Sequence, residues 1–368
     1  MEFLVSYDKT IQDFTINANL GTDFFSSVYK ANSASTAQGL VVPNGFFISA
    51  GQSWLSVDVD YIEKRLIEAG FLVVRTTIDA LPSIHFSKDD VILYTSSPVK
   101  EIREYLKNVL YFPSKVCTLI PRYELLMAHE DKGFQELLKS KVELDSLNSF
   151  YHYDLDAYAG DFPVVFKTVD GAGSSGVHLA KSKSDLGSVK IKLFSISFFR
   201  KIVLAYRKFR LSRSEFDYYL YRHKGFRPYV CQPFIDGLDS DYKILVFGSK
   251  YFGLKRYTKN GDFRASGSGK FDSLEEIPTE ILDFSEKVFF CIDVPFLSLD
   301  LALKDNDCYL IEYQALNFGP LTLNNSDFFY SRVDGGWART KAKSDLNQCY
   351  ADAYVEYLSN VRSGADER

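Results

Sequence analysis

The chain has 368 residues, 46% of them apolar and 15% aromatic, and a net charge of −5. That content can bury more than one core and excludes a disordered or fibrous chain, while the negative balance argues against a specific nucleic-acid partner. Five scattered cysteines, an acidic residue after Met1 and no uncharged apolar run of eighteen residues lead to the expectation of a reduced, cytoplasmic protein without a signal peptide or membrane span.

At the front of the chain, MEFLVSY reads as a strand and VDYIEKRLIEAG as a helix closed by Gly70. FLVVRTT and DDVILYTSS read as strands, and PVKEIREYLKNVLYF as a helix with Pro98 inside its start. GLVVPNGFFISA has the pattern of a hairpin around Asn44-Gly45. This alternation predicts an α/β domain with a mainly parallel sheet. CTLIPRYELLMAHEDKGFQELLKS then predicts a short strand and one helical stretch from about Tyr123 to Ser140. Farther on, RPYVCQPFIDG, DYKILVFGSKYFGLKRYT and DCYLIEYQ are strand-like, IPTEILDFSEKVFFCI is helical, and KSDLNQCYADAYVEYLSNVRS predicts a final helix.

Between these, FPVVFKTVDGAGSSGVHLAKS runs from Phe162 to Ser182. A strand ends near Lys167, and glycines at 171, 173 and 176 then form a small-residue loop in which backbone N–H groups can approach an anion. An ordinary hairpin turn and a phosphate cradle both fit. The lysine precedes the loop, so this is not GxxxxGK[ST], and the GxGxxG spacing is also absent. Residues 188–224 contain neither Pro nor Gly, and from Lys190 to Arg227 eleven Lys or Arg face only Glu215 and Asp217. Three readings are open for this amphipathic segment: packing on its own domain, a rim for an anionic substrate, and contact with an anionic membrane surface.

Downstream, strand alternation turns Lys243 and one of Lys255 or Arg256 toward a cleft, and Arg264 precedes a second small-residue loop, Ser266 to Gly269. Asp300 and Glu312 lie in apolar, strand-like runs, with Gln314 on the face of Glu312. Carboxylates in such runs are costly unless paired or metal-bound. Ion pairs with Lys255 and Arg256 are one solution, and an oxygen-only Mg²⁺ site is the other.

The order of these features resembles the ATP-grasp superfamily, over about residues 115–325. The resemblance implies that Lys167 contacts nucleotide phosphates and that the loop of Gly171, Gly173, Ser174, Ser175 and Gly176 covers them. Gln232, Phe234 and Ile235 match the hinge that receives adenine through its backbone, and Asp239 or Asp241 falls near the ribose position. Lys243 stands where arginine is common, and Arg256 matches the residue that reaches the γ-phosphate. Asp300 and Glu312 match the metal carboxylates; Gln314 replaces the usual asparagine, with Asn317 as an alternative ligand. Lys115 fits the first phosphate-side lysine by distance, while Lys132 in HEDKG resembles the DK that opens the following helix.

The implied architecture is a Rossmann-like α/β domain over residues 1–110, then an α+β ATP-grasp clamp of two subdomains, 111–235 with the basic insert 188–227, and 236–368. The implied activity is Mg²⁺- and ATP-dependent joining of a carboxylate to an amine through an acyl phosphate, with Arg264, Ser266, Arg332 and Arg339 available to grip the substrate carboxylate. A kinase, for which His178 is the one histidine near the matched segments, and a non-catalytic ATP-binding module are the alternatives. Homo-oligomerisation is compatible with the sequence.

Overall fold

The computed structural model describes residues 2–5, 39–40, 57–97, 99–144, 146–155, 158–171, 176–193, 198–216, 228–259, 261–273 and 276–366. In its front part, β1 (Glu2–Val5), β2 (Gly39–Leu40), β3 (Arg75–Thr77), β4 (Val91–Leu93) and β5 (Thr118–Ile120) form one sheet in the order β2-β4-β1-β3, with β5 beside β4. The sheet is mixed rather than mainly parallel. β4 runs parallel to β2 and β5, but β1 is antiparallel to both β3 and β4. Strand direction comes from pairing across the sheet, which period-two patterning does not encode. The Asn44-Gly45 hairpin and Pro98 lie outside the described residues.

Helix α1 (Val59–Glu68) starts where the Asp58 side chain accepts a hydrogen bond from the Tyr61 amide, and Gly70, at φ +86°, terminates it. Helix α2 (Lys100–Tyr111) follows β4. The single helix expected over 123–140 is two: α3 (Tyr123–Ala128) and α4 (Lys132–Lys141). Glu130 has φ +57°, and Asp131 accepts from the Phe134 amide to cap α4, so the chain restarts its helix at a new angle.

A four-stranded antiparallel sheet in the order β6-β9-β7-β8 joins Phe150–His152, Tyr229–Pro233, Val164–Thr168 and Val177–Ala180. Helices α5 (Leu186–Leu193) and α6 (Phe198–Arg210) follow β8.

The largest sheet is antiparallel, in the order β14-β13-β10-β11-β15-β16, with β12 (Phe271–Asp272) against β11. Its strands are β10 (Ser240–Phe247), β11 (Lys250–Tyr257), β13 (Phe296–Lys304), β14 (Asp307–Gln314), β15 (Phe328–Val333) and β16 (Gly336–Lys341). Helix α7 (Thr279–Ile292) packs Ile281, Val288 and Ile292 on one face of this sheet, together with Leu125 and Leu138 of α3 and α4. The short helix α8 (Leu321–Asn324) and the final helix α9 (Leu346–Asp366) join α1 on the other face, where Phe247, Phe252 and Phe296 meet Tyr350 and Tyr354. These two apolar layers fix the large sheet, and its register positions the charged side chains described next.

Candidate functional site

Side chains from the small sheet, the start of α4 and the large sheet line one cleft of about 250 Å³. From the small sheet come Lys167, Gly171, Gly176, Gln232, Phe234 and Ile235; from the large sheet Asp241, Lys243, Arg256, Asp300, Glu312 and Gln314. Glu130, Lys132, Thr168, Arg264 and Ser266 also line it. Gly173, Ser174 and Ser175 lie outside the described residues.

Register explains the large-sheet wall. Glu312 is paired with Asp300, and Asp300 with Lys243, so three charged side chains form a row across β14, β13 and β10. Two residues along β10, Asp241 faces Arg256 of β11. Lys243 Nζ donates to Asp300 Oδ1 at 2.7 Å, and Arg256 donates to both oxygens of Asp241 at 2.6 and 2.8 Å. The same guanidinium lies 3.1 Å from Asp300 Oδ2. Burial opposes ionisation of Asp300, but Arg256 and Lys243 outweigh it and hold this carboxyl well below the usual carboxylate range. Burial raises Asp241, with Arg256 opposing. Of the two candidate basic residues on β11, Arg256 is the one in the cleft; Lys255 sits over the rings of Tyr242 and Tyr257.

The small-sheet wall is different. Lys167 is 7% exposed, and among the described residues no carboxylate lies within 4.0 Å of its ammonium. Burial pushes it down to about 8, with Glu136 and Glu312 pulling the other way from a distance. Glycine is required around it: Gly171 has φ +114°, and a Cβ on Gly176 would collide with the Thr168 side chain. Lys132 Nζ donates to the Gly171 carbonyl at 2.6 Å and lies 3.6 Å from Glu312, tying the loop to the large sheet. Behind this wall, buried Glu136 accepts from Gln232 at 3.1 Å and faces Lys139 at 2.6 Å. Glu136 escaped sequence reasoning because on amphipathic α4 it has the spacing of an ordinary surface charge.

Several expected positions move. Lys115 is exposed at the end of the turn Pro113–Lys115, over the Tyr111 ring, and does not line the cleft; Lys132 does. Sequence distance favoured Lys115, but α4 is what turns a lysine toward the loop. Asp239 is exposed and accepts from the Ser240 hydroxyl, while Asp241 lines the cleft. Asn317, at φ +42°, bonds the backbone of Ser96 and leaves Gln314 as the amide on the cleft. In the segment expected to form the hinge, the Phe234 N–H donates to the Pro163 carbonyl, which leaves that residue its own carbonyl as a free backbone group. Arg264 is paired with Asp262 at 2.7 Å. Neither Arg332, bound to Glu286 and Asp283, nor Arg339, over the Phe328 ring, lines the cleft, and His178 lies outside its lining on β8.

Among the described residues no group of three His, Cys, Asp or Glu side chains forms a metal cluster. Asp300, Glu312 and Gln314 nonetheless bring only oxygen donors to the cleft, a set that suits a hard cation.

No known protein family's sequence pattern matches this chain. No curated protein matches it in sequence. Solved structures match it in fold. D-alanine–D-alanine ligase from Bacillus anthracis, complexed with ATP, superposes with a TM-score of 0.50 at 13% identity, covering 90% of this chain and 100% of that one. The ATP-grasp ligase PsnB, complexed with its minimal precursor, reaches 0.46 at 13% identity, over 88% and 99%. D-alanine–D-alanine ligase from Helicobacter pylori gives 0.37 at 16%, and there this chain spans 62% of the other, under two thirds. The chain has an ATP-grasp-like fold, with the two-part clamp that goes with it.

Proposed function

We propose that this protein is an ATP-dependent ligase that joins a carboxylate to an amine through an acyl phosphate. On this reading residues 1–110 precede a clamp formed by 111–235 and 236–368. The observation that carries the proposal is the convergence of Lys167, Lys243, Arg256, Asp300 and Glu312, from five strands, on one cleft beside a glycine loop.

Lys167 is a buried cation short of a close counter-charge, and a nucleotide phosphate is the anion that would complete it. Lys132 and the backbone at Gly171 and Gly176 hold the phosphates from the loop side, and adenine stacks beside Phe234 and Ile235. Asp300, Glu312 and Gln314 would hold Mg²⁺, which when bound neutralises charge on the phosphates. Arg256, fixed between Asp241 and Asp300, steadies the transferring phosphoryl group without needing to reorganise. A substrate carboxylate oxygen attacks the γ-phosphorus while its bond to ADP breaks. An amine then attacks the acyl carbon, phosphate leaves, and the nitrogen loses a proton. Arg264 is the donor that grips the substrate carboxylate, exchanging Asp262 for it. The cleft lining supports this use: five basic side chains against four acidic ones leave room for a polyanion.

The test is ADP and phosphate release with carboxylic acids and amines supplied singly and in pairs, with hydroxylamine as a trap. Turnover that needs both partners, and a hydroxamate in place of the amide, is the expected result. A stable phosphomonoester from one substrate would replace the ligase with a kinase, and no ADP release with any pair would leave a binding module.

A further inference from the structure

The basic insert contains a helix in which large apolar side chains are exposed alongside basic ones. In α6, Ile202 is 50% exposed, Val203 38%, Tyr206 59% and Phe209 90%, and every residue from Ala205 to Arg210 is exposed. At about 100° per residue these four apolar side chains fall within roughly 120° of the circumference, a continuous apolar stripe. Arg200, Lys201, Arg207, Lys208 and Arg210 make five basic residues in the helix, with no acidic one. On the same count Arg207 borders the arc on one side and Lys208 lies on the other, while Arg210 falls within it, 5.6 Å from the Tyr206 ring. From Leu186 to Ser214 eight basic residues occur and no acidic residue. The next acid, Glu215, accepts from the amide and hydroxyl of Ser212 and is engaged in a local cap.

We propose that α6 is an interfacial helix that docks the protein on an anionic phospholipid surface. Ile202, Val203, Tyr206 and Phe209 enter the acyl boundary, and the flanking Lys and Arg reach the headgroups. Charge and geometry together select this occupant. A headgroup layer supplies anions at one depth on both sides of an apolar stripe, whereas a protein groove that covered the stripe would have to carry acids along two rims as well. No helix among the described residues is long and apolar enough to cross a membrane, so the contact is peripheral. The inference is independent of the ligase reading and needs no turnover.

Co-sedimentation of the full-length protein with phosphatidylcholine vesicles, with and without phosphatidylserine, tests it. Binding at least tenfold tighter to the anionic vesicles, weakened by salt, is expected. The double variant Tyr206→Ser/Phe209→Ser loses at least tenfold in affinity, and Arg207→Glu/Lys208→Glu loses the preference for phosphatidylserine. Both substitutions fall on exposed positions, so the melting temperature checks that the fold persists. In Phe209→Trp, the indole emission shifts to the blue on vesicles and is quenched by lipids brominated on the acyl chain. Equal binding to both vesicle types, absence of binding, or binding indifferent to both double variants overturns the proposal. Self-association without vesicle binding, lost in the Tyr206→Ser/Phe209→Ser protein, also overturns it and assigns the face to a second copy.

Discussion

The two walls of the cleft handle buried charge in opposite ways. On the large sheet, Lys243, Asp300, Arg256 and Asp241 neutralise one another at 2.6 to 3.1 Å. On the small sheet, Lys167 is buried with no carboxylate in contact among the described residues, and its pKa falls to about 8. One wall has its central charges paired with one another; the other carries a buried lysine that is not. On the proposed function the first aligns the site and offers carboxylates to a metal, and the second holds a desolvated cation that a nucleotide phosphate would relieve.

If this contrast holds, mutations on the two walls should change stability with opposite sign. Arg256→Ala leaves buried Asp241 without its two-point partner, beside an Asp300 that keeps only Lys243, and should have the largest effect. We expect a loss of about 3–5 kcal/mol in denaturant unfolding and at least a thousandfold fall in turnover. A stable Arg256→Ala protein would show that the lattice is dispensable. Lys167→Met should do the reverse, because the shift from 10.5 to about 8, set mainly by burial, amounts to a net cost of about 3 kcal/mol for holding the charged lysine in the fold. A raised melting point, combined with a more than tenfold loss of ATP affinity by calorimetry, is the expected pair of results. Unchanged ATP affinity would move the nucleotide elsewhere.

The same lysine gives the wild-type protein a pH signature. Between about pH 8 and 10.5 the unfolded chain still holds this proton and the folded chain has released it, so the Lys167 contribution makes stability rise with pH across that window. Its cost is fully present below pH 8. Nucleotide affinity should move the other way, falling up to about tenfold per unit above pH 8, since a neutral amine binds phosphate poorly. Lys167→Met should abolish both slopes, and slopes that survive in it would assign the titration to another group. The smallest effects separate the two lysines proposed for the loop side. Lys132→Ala should weaken ATP binding several-fold, whereas Lys115→Ala, on the exposed turn by Tyr111, should change it less than twofold.

Much of this was legible in local sequence. Gly70 ends α1, the glycines bracket the β7–β8 turn, and alternation turned Lys243 toward the cleft and put Glu312 with Gln314 on a shared face. Each depends only on backbone geometry within a few residues, which side-chain type and spacing encode directly. The identity of partners did not depend on such local rules. That Asp300 meets Lys243 and Arg256 follows from which strands lie side by side and in what register, and that Glu312 meets Lys132 follows from where α4 starts against β14. The sequence offered Lys255 and Arg256 for both carboxylates, and only pairing across β10, β11 and β13 chose among them.

What the sequence determined by itself is the inventory and its order: a lysine before a glycine loop, a basic strand and two carboxylates, carried on elements whose periodicity is local. Tertiary structure decided where charge is satisfied. It broke the 123–140 helix at Glu130 so that Lys132 could reach Gly171, drew Asn317 to Ser96, left Lys115 outside the cleft, and exposed the apolar stripe of α6. The reason is physical. Burial, desolvation and ion pairing are properties of a position in space, set by contacts between residues tens to hundreds apart in the chain, and no window of sequence contains both partners.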